Sequence, residues 1–164
     1  MNPMTRNGLL VAALHVALVG SLGAKLLVDR AVRPRAWSRA GPVDPNLPIR
    51  GRYVSLRLEA AIDEGTTVPV SGPVVLSVKD QQLIAGPASG SNSVPAFVTE
   101  RDGRRVVVLR DPAAYFIPEH VADPSRRPAG EELWVEVTLP RSGAPRPIRL
   151  GVKKDGVLTP LELK

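Results

Sequence analysis

The chain has 164 residues, a formal net charge of +6, 43% hydrophobic residues, 4% aromatic residues and no cysteine. That length suffices for one domain with its own core, which has to be built mainly from Val, Leu, Ile and Ala. The absence of cysteine excludes a disulfide framework, a thiol nucleophile and a thiolate metal site, and the separation of His15 from His120 argues against a histidine-rich metal site.

The charge is unevenly placed. Residues 1–43 carry Arg6, Lys25, Arg30, Arg33, Arg35 and Arg39 against Asp29 alone, so +5 of the +6 sits there. Residues 44–164 hold 16 basic and 15 acidic side chains, which leaves them nearly neutral. A nucleic-acid binder carries its positive charge on the folded domain, so no nucleic-acid partner is expected.

Residues 8–24 contain no charged side chain, and Leu26, Leu27 and Val28 continue the apolar run past Lys25, which can snorkel from near a helix end. About 20 residues span a hydrocarbon core of roughly 30 Å, so residues 8–28 predict one membrane-spanning helix. His15 in mid-span is read as a neutral polar residue carried at modest cost. Two alternatives stay open: a cleaved signal peptide, suggested by the small residues of Ser21-Leu22-Gly23, and a buried helix of a soluble protein. Too few polar positions exist for a solvated helical face, which disfavours the latter.

Residues 30–48 hold four Arg and four Pro without periodic apolar positions and are expected to form an extended basic linker. Trp37 within it is expected to act as an interfacial anchor. Residues 30–39 also suit attraction to anionic lipid headgroups. Positive flanks usually stay cytoplasmic, which opposes an extracytoplasmic body.

The stretch 42–58 organises the rest of the chain. A Pro-rich lead and a turn at Gly51 precede residues 53–60, where Val54, Leu56, Leu58 and Ala60 alternate with Tyr53, Ser55, Arg57 and Glu59. Period two of this kind predicts a strand. Further strands are expected at 74–78, 82–85, 96–99, 105–110, 115–117, 133–139, 148–152 and 157–161. Asp155-Gly156 and Asp102-Gly103 are hairpin signals, because both residues of such a turn take positive φ. Residues 87–95 and 124–130 are expected to be loops, with a short helix near residues 60–64.

Pro42-Val43-Asp44-Pro45, Arg50-Gly51-Arg52-Tyr53, Tyr115-Phe116-Ile117-Pro118-Glu119 and Trp134-Val135-Glu136-Val137, followed by Gly143, Ile148, Leu150 and Asp155-Gly156, form an ordered series. In this order it resembles the GDYXXLXY family of membrane-anchored bacterial proteins, a family without an assigned reaction. The resemblance runs over nearly the whole chain and implies an N-terminal membrane helix with a body outside the cytoplasm. Where the family has an Asp, a second Tyr and a Gly, this chain has Arg52, Leu58 and His120, so any role of that Asp is not carried over.

Chemistry is sparse. Tyr53, Tyr115 and Glu119 are the candidate ligand- or partner-binding residues. The competing reading has Tyr115 and Ile117 filling the core and Glu119 making local contacts. Asp44 between two prolines suits an Asx-type turn, and Gly51, Pro118 and Gly156 suit turns. Glu131 and Glu132 are adjacent, so on a strand they point to opposite faces and serve paired acid–base work poorly. The turn before residue 53 is similar to that of signal peptidases, which need a serine nucleophile with a lysine base. Lys79 and several serines are present without a nucleophile motif, a phosphate-binding glycine loop or metal-ligand spacing.

The sequence therefore predicts a mainly β, compact antiparallel or barrel-like domain behind one transmembrane helix. The expected division is an anchor at 1–29, a linker at 30–48 and the β domain at 49–164. The expected function is a membrane-anchored binding or assembly module of a bacterial envelope, contacting the bilayer and another envelope protein and using no cofactor or metal. The alternative is a hydrolase or peptidase-like enzyme around Tyr115 and Glu119.

Overall fold

The computed structural model describes residues 3–43, 52–89 and 93–163, with side chains from residue 7 onward except at residues 29 and 30. It comprises two compact units, residues 1–33 and 34–164.

The first unit is helix α1 (Pro3–Val32). Proline suits its first turn, where a missing N–H costs nothing and φ is already near the helical value. The segment Asn7–Val28 is long and apolar enough to cross a membrane; its 22 residues reach about 33 Å at 1.5 Å per residue. A signal sequence meets the same criterion. Its polar side chains bond within the helix: His15 Nδ1 donates to the Val11 carbonyl at 2.8 Å and Ser21 Oγ to the Leu18 carbonyl at 2.9 Å. Such bonds remove the cost of an unsatisfied polar group in an apolar surrounding.

The body is mainly β. Its strands are β1 (Arg35–Val43), β2 (Tyr53–Ile62), β3 (Ser71–Lys79), β4 (Gln82–Pro87), β5 (Val94–Arg101), β6 (Arg104–Leu109), β7 (Ala113–Phe116), β8 (Glu131–Thr138), β9 (Arg146–Lys154) and β10 (Val157–Pro160). Six close into a barrel in the order β1, β4, β3, β5, β6, β2 and back to β1. Strand β7 adds to β2, while β8, β9 and β10 extend outward from β1. All pairings are antiparallel except β1–β4 and β2–β4, which are short and parallel. Strand β2 is the hub, pairing with β1, β4, β6 and β7.

The core is aliphatic, as the scarcity of aromatics requires. Leu56, Leu58, Leu83, Leu150, Val74, Val107, Val135 and Val137 are almost fully buried. Each contributes about 1.5–3 kcal/mol by leaving water. Residues 54, 56, 58 and 60 face this core as their alternation predicts. The opposite face of β2 is less solvated than expected, with Ser55 and Glu59 also buried. Arg101 supplies part of that cover, its Nε lying 3.1 Å from the Glu59 carboxylate, while Ser38 Oγ holds the strand backbone by donating to the Glu59 carbonyl at 2.8 Å and accepting the Glu59 N–H at 3.1 Å.

Two expectations change. Residues 35–43, expected in the extended linker, form β1, which joins the barrel to β8. Here the buried residues are the small Ala36, Ser38 and Ala40, alternating with half-buried Trp37 and Arg39. Trp37 is thus a sheet residue rather than an interfacial anchor. The helix expected near residues 60–64 is absent from those described positions: β2 continues to Ile62 and a turn follows, because Ala60 to Ile62 pair with β6 and β4. Asp155-Gly156 and Asp102-Gly103 adopt the expected positive φ, 50° and 82°, and 52° and 73°. Asp80-Gln81 makes a third such turn at 50° and 60°, joining β3 to β4.

Candidate functional site

Side chains alternate across each strand, so register decides which residues share the outer face. Trp37 stands opposite Glu136, and Glu136 opposite Arg149. In the next row Arg39 stands opposite Trp134 and, across β2, opposite Glu59; Trp134 in turn faces Gly151. The third row pairs Glu132 with Lys153. Both tryptophans of the chain therefore lie on one surface, laced with charges of both signs.

The charges are paired across the strands. Arg39 bonds Asp102 at 2.7 Å and Glu132 at 3.1 Å. Arg101 meets Glu59 at 3.1 Å, and Arg149 meets Glu136 at 2.9 Å. Trp134 Nε1 donates to Glu132 Oε2 at 3.0 Å. The Arg149 guanidinium lies 5.5 Å from the centre of the Trp37 ring, and Lys153 Nζ lies 4.8 Å from that of Trp134. Gly151 makes room for Trp37, since a Cβ there would stand 2.8 Å from the ring.

Burial and pairing set the protonation preferences. Burial raises the Glu59 carboxyl above its ordinary value, against the opposing pull of Arg101 and Arg39. For Arg39, partial burial works against the charge, but the bond from Asp102 and the charges of Glu132 and Glu59 outweigh it, so its value is raised. Asp102 is held below its ordinary value by its bond to Arg39.

These residues line a groove of about 680 Å³ where β1, β2 and β4 diverge, closed on one side by the β5–β6 turn. A second groove of about 470 Å³ continues past β9 and β10. Trp37, Gln82, Trp134 and Lys153 border both. Ligand sites commonly occupy roughly 300–1,000 Å³, so either groove is large enough. The carboxylates of the larger groove are mostly held by arginines, and among the described residues it contains no nucleophile–base pair of the kind acyl or glycosyl transfer needs. Among the described residues no three His, Asp or Glu side chains gather as a metal site.

The residues singled out from sequence lie elsewhere. Tyr115 is half-buried and packs against the core beside buried Ile117. Tyr53 meets Phe116 across the β2–β7 pair with ring centres 6.2 Å apart. Glu119 is exposed in the turn after β7, and its carbonyl accepts a bond from Arg52 Nη1. The Pro118 carbonyl accepts the Val121 N–H at 3.2 Å, and Gly156 sits in its hairpin turn. Asp44 and Gly51 lie outside the described residues. Tyr53, Tyr115 and Glu119 border neither groove. The segments around residues 52–53 and 115–119, two blocks of the family resemblance, do meet in space: the Ile117 N–H bonds the Arg52 carbonyl at 3.0 Å.

Trp37, Arg39, Glu59, Glu132, Trp134, Arg149 and Lys153 were not legible as a group. The available signal was the alternation of small and long side chains through residues 36–40. No family model, curated protein or solved structure matches the chain.

Proposed function

We propose that the protein is a membrane-tethered binding or assembly module of a bacterial envelope, anchored by α1, with its body outside the cytoplasm. The observation that carries the binding reading is the groove: both tryptophans, several cross-strand ion pairs and a volume suited to a ligand, without the reactive groups an enzyme needs among its described residues. The apolar length of α1 supports the tether, and the family resemblance supports the envelope location. Arg30, Arg33 and Arg35, which follow the apolar run in sequence, favour contact with anionic headgroups, at about 1 kcal/mol per residue close to the surface.

Site-specific photocrosslinking in native membranes tests the reading. A photoreactive residue replacing Ala61, exposed in the groove, is expected to give one discrete adduct, and the same residue at exposed Ser142 none. Equal smears from both positions, or no adduct from either, would remove the binding role. A reporter fused after Lys164 is expected to be active only outside the cytoplasm; activity inside would reverse the orientation.

A further inference from the structure

Within the 680 Å³ groove, charge is not evenly spent. Arg39 takes up Asp102 and Glu132, and Arg101 takes up Glu59. The two Glu132 oxygens are divided between Arg39 and the Trp134 N–H, so Lys153, although opposite Glu132 in register, is left over the indole ring. Arg104 and Arg105, at the start of β6 on the same rim, make no ion pair among the described residues. Three cations therefore remain without an anionic partner among the described residues, and Glu64 is the remaining carboxylate of the described lining. The apolar strip of the lining is the exposed Ala61 with the half-buried Ile62 and Val106.

Building on the binding role above, we propose that this groove takes an extended acidic polypeptide segment, its Asp or Glu carboxylates on Arg104, Arg105 and Lys153 and its apolar side chains on the strip. Guanidinium forks match carboxylates in a bidentate way, which fixes orientation as well as adding affinity. An extended peptide presents side chains alternately, which suits a groove with a charged rim and an apolar floor. Nucleic acids and glycans fit less well. Both use open aromatic faces, as in base stacking, whereas Arg149 and Lys153 already stand over the two indole rings. The near-neutral body also lacks the broad positive field that a polyphosphate needs.

The two tryptophans report directly on the site, because the chain has no others. The full-length protein in nanodiscs of zwitterionic lipid is titrated with a blocked octapeptide alternating glutamate and leucine, and indole emission is followed. A saturable change is expected with this peptide, at least about tenfold weaker with the glutamine counterpart, and weakened by salt as the screening length falls from ~8 Å at 0.15 M to ~3 Å at 1 M. The double substitution Arg104→Ala with Arg105→Ala is expected to weaken binding about tenfold while leaving the melting temperature unchanged, since both side chains are exposed. Lys153→Met, which keeps the contact with the ring, is expected to weaken it as well. Equal binding of the glutamine peptide, or no saturable change with either, would overturn the proposal. Saturation by a uronic-acid oligosaccharide in place of the peptide would overturn the peptide class while leaving the binding role intact. Failure of the Ala61 crosslink would remove the binding role itself.

Discussion

Gly151→Ala is a small change with a large expected effect. The added Cβ would lie 2.8 Å from Trp37 Cζ3, 3.0 Å from Cη2 and 3.2 Å from the Thr159 carbonyl oxygen. Carbon atoms pack best at about 3.5–4.0 Å, so the methyl intrudes by roughly 0.7 Å or more. Trp37 has little freedom to yield. Its backbone N–H is held by the Gln81 carbonyl at 2.6 Å, Arg149 lies over its ring, and the third neighbour is backbone. Overpacking of this kind costs about 1–3 kcal/mol, and the stiffer unfolded chain returns about 0.4–1 kcal/mol. A net loss of about 1–2 kcal/mol lowers Tm by roughly 3–8 °C for a body of this size. Thermal unfolding followed by far-ultraviolet circular dichroism, with indole emission as a second probe, measures it. Adding Trp37→Leu is expected to recover part of the loss, a coupling of about 0.5 kcal/mol or more. A Tm within about 1 °C of the parent and unchanged emission would refute the packing argument.

Leu56→Ala empties a fully buried position in β2 and is expected to cost about 2–5 kcal/mol in urea unfolding; a loss below about 1 kcal/mol would mean that β2 is not the hub. Gly156→Ala meets no neighbouring atom but must keep φ at +82°, so chemical denaturation should show a loss of about 1–2 kcal/mol. Glu59 has its carboxyl raised by burial from 4.5, so the folded state binds this proton more tightly than the unfolded state. Its contribution is therefore largest below pH 4.5 and falls as pH rises through the window just above it. Glu59→Gln is expected to remove that fall from the stability–pH profile, and an unchanged profile would mean that the carboxyl is not desolvated.

Nine of the ten strands among the described residues were legible because each announces itself locally. Residues 53–60 and 133–139 alternate cleanly, and Asp102-Gly103 and Asp155-Gly156 mark their hairpins by chemistry that only positive φ explains. Strand β1 was hidden for a physical reason. Its buried side chains are Ala36, Ser38 and Ala40, too small to register as an apolar face, and Arg35, Arg39 and Pro42 resemble linker composition. It pairs with the next strand, β2, but its other antiparallel partner β8 begins nearly a hundred residues later, and that pairing is a long-range event no local pattern encodes. The groove depended on that same register. Trp37 shares the groove with Trp134 and lies under Arg149 only because β1 lies beside β8, and Glu132 is shared between Trp134 and Arg39. Tyr115 and Ile117, by contrast, pack inward as their spacing allowed.

The tether is tested most directly by the intact mass of the protein recovered from membranes after an alkaline carbonate wash. A species of the full 17.5 kDa retained in the washed membranes is the expected result. A soluble species lacking the first two dozen residues would contradict it and make α1 a removed signal sequence.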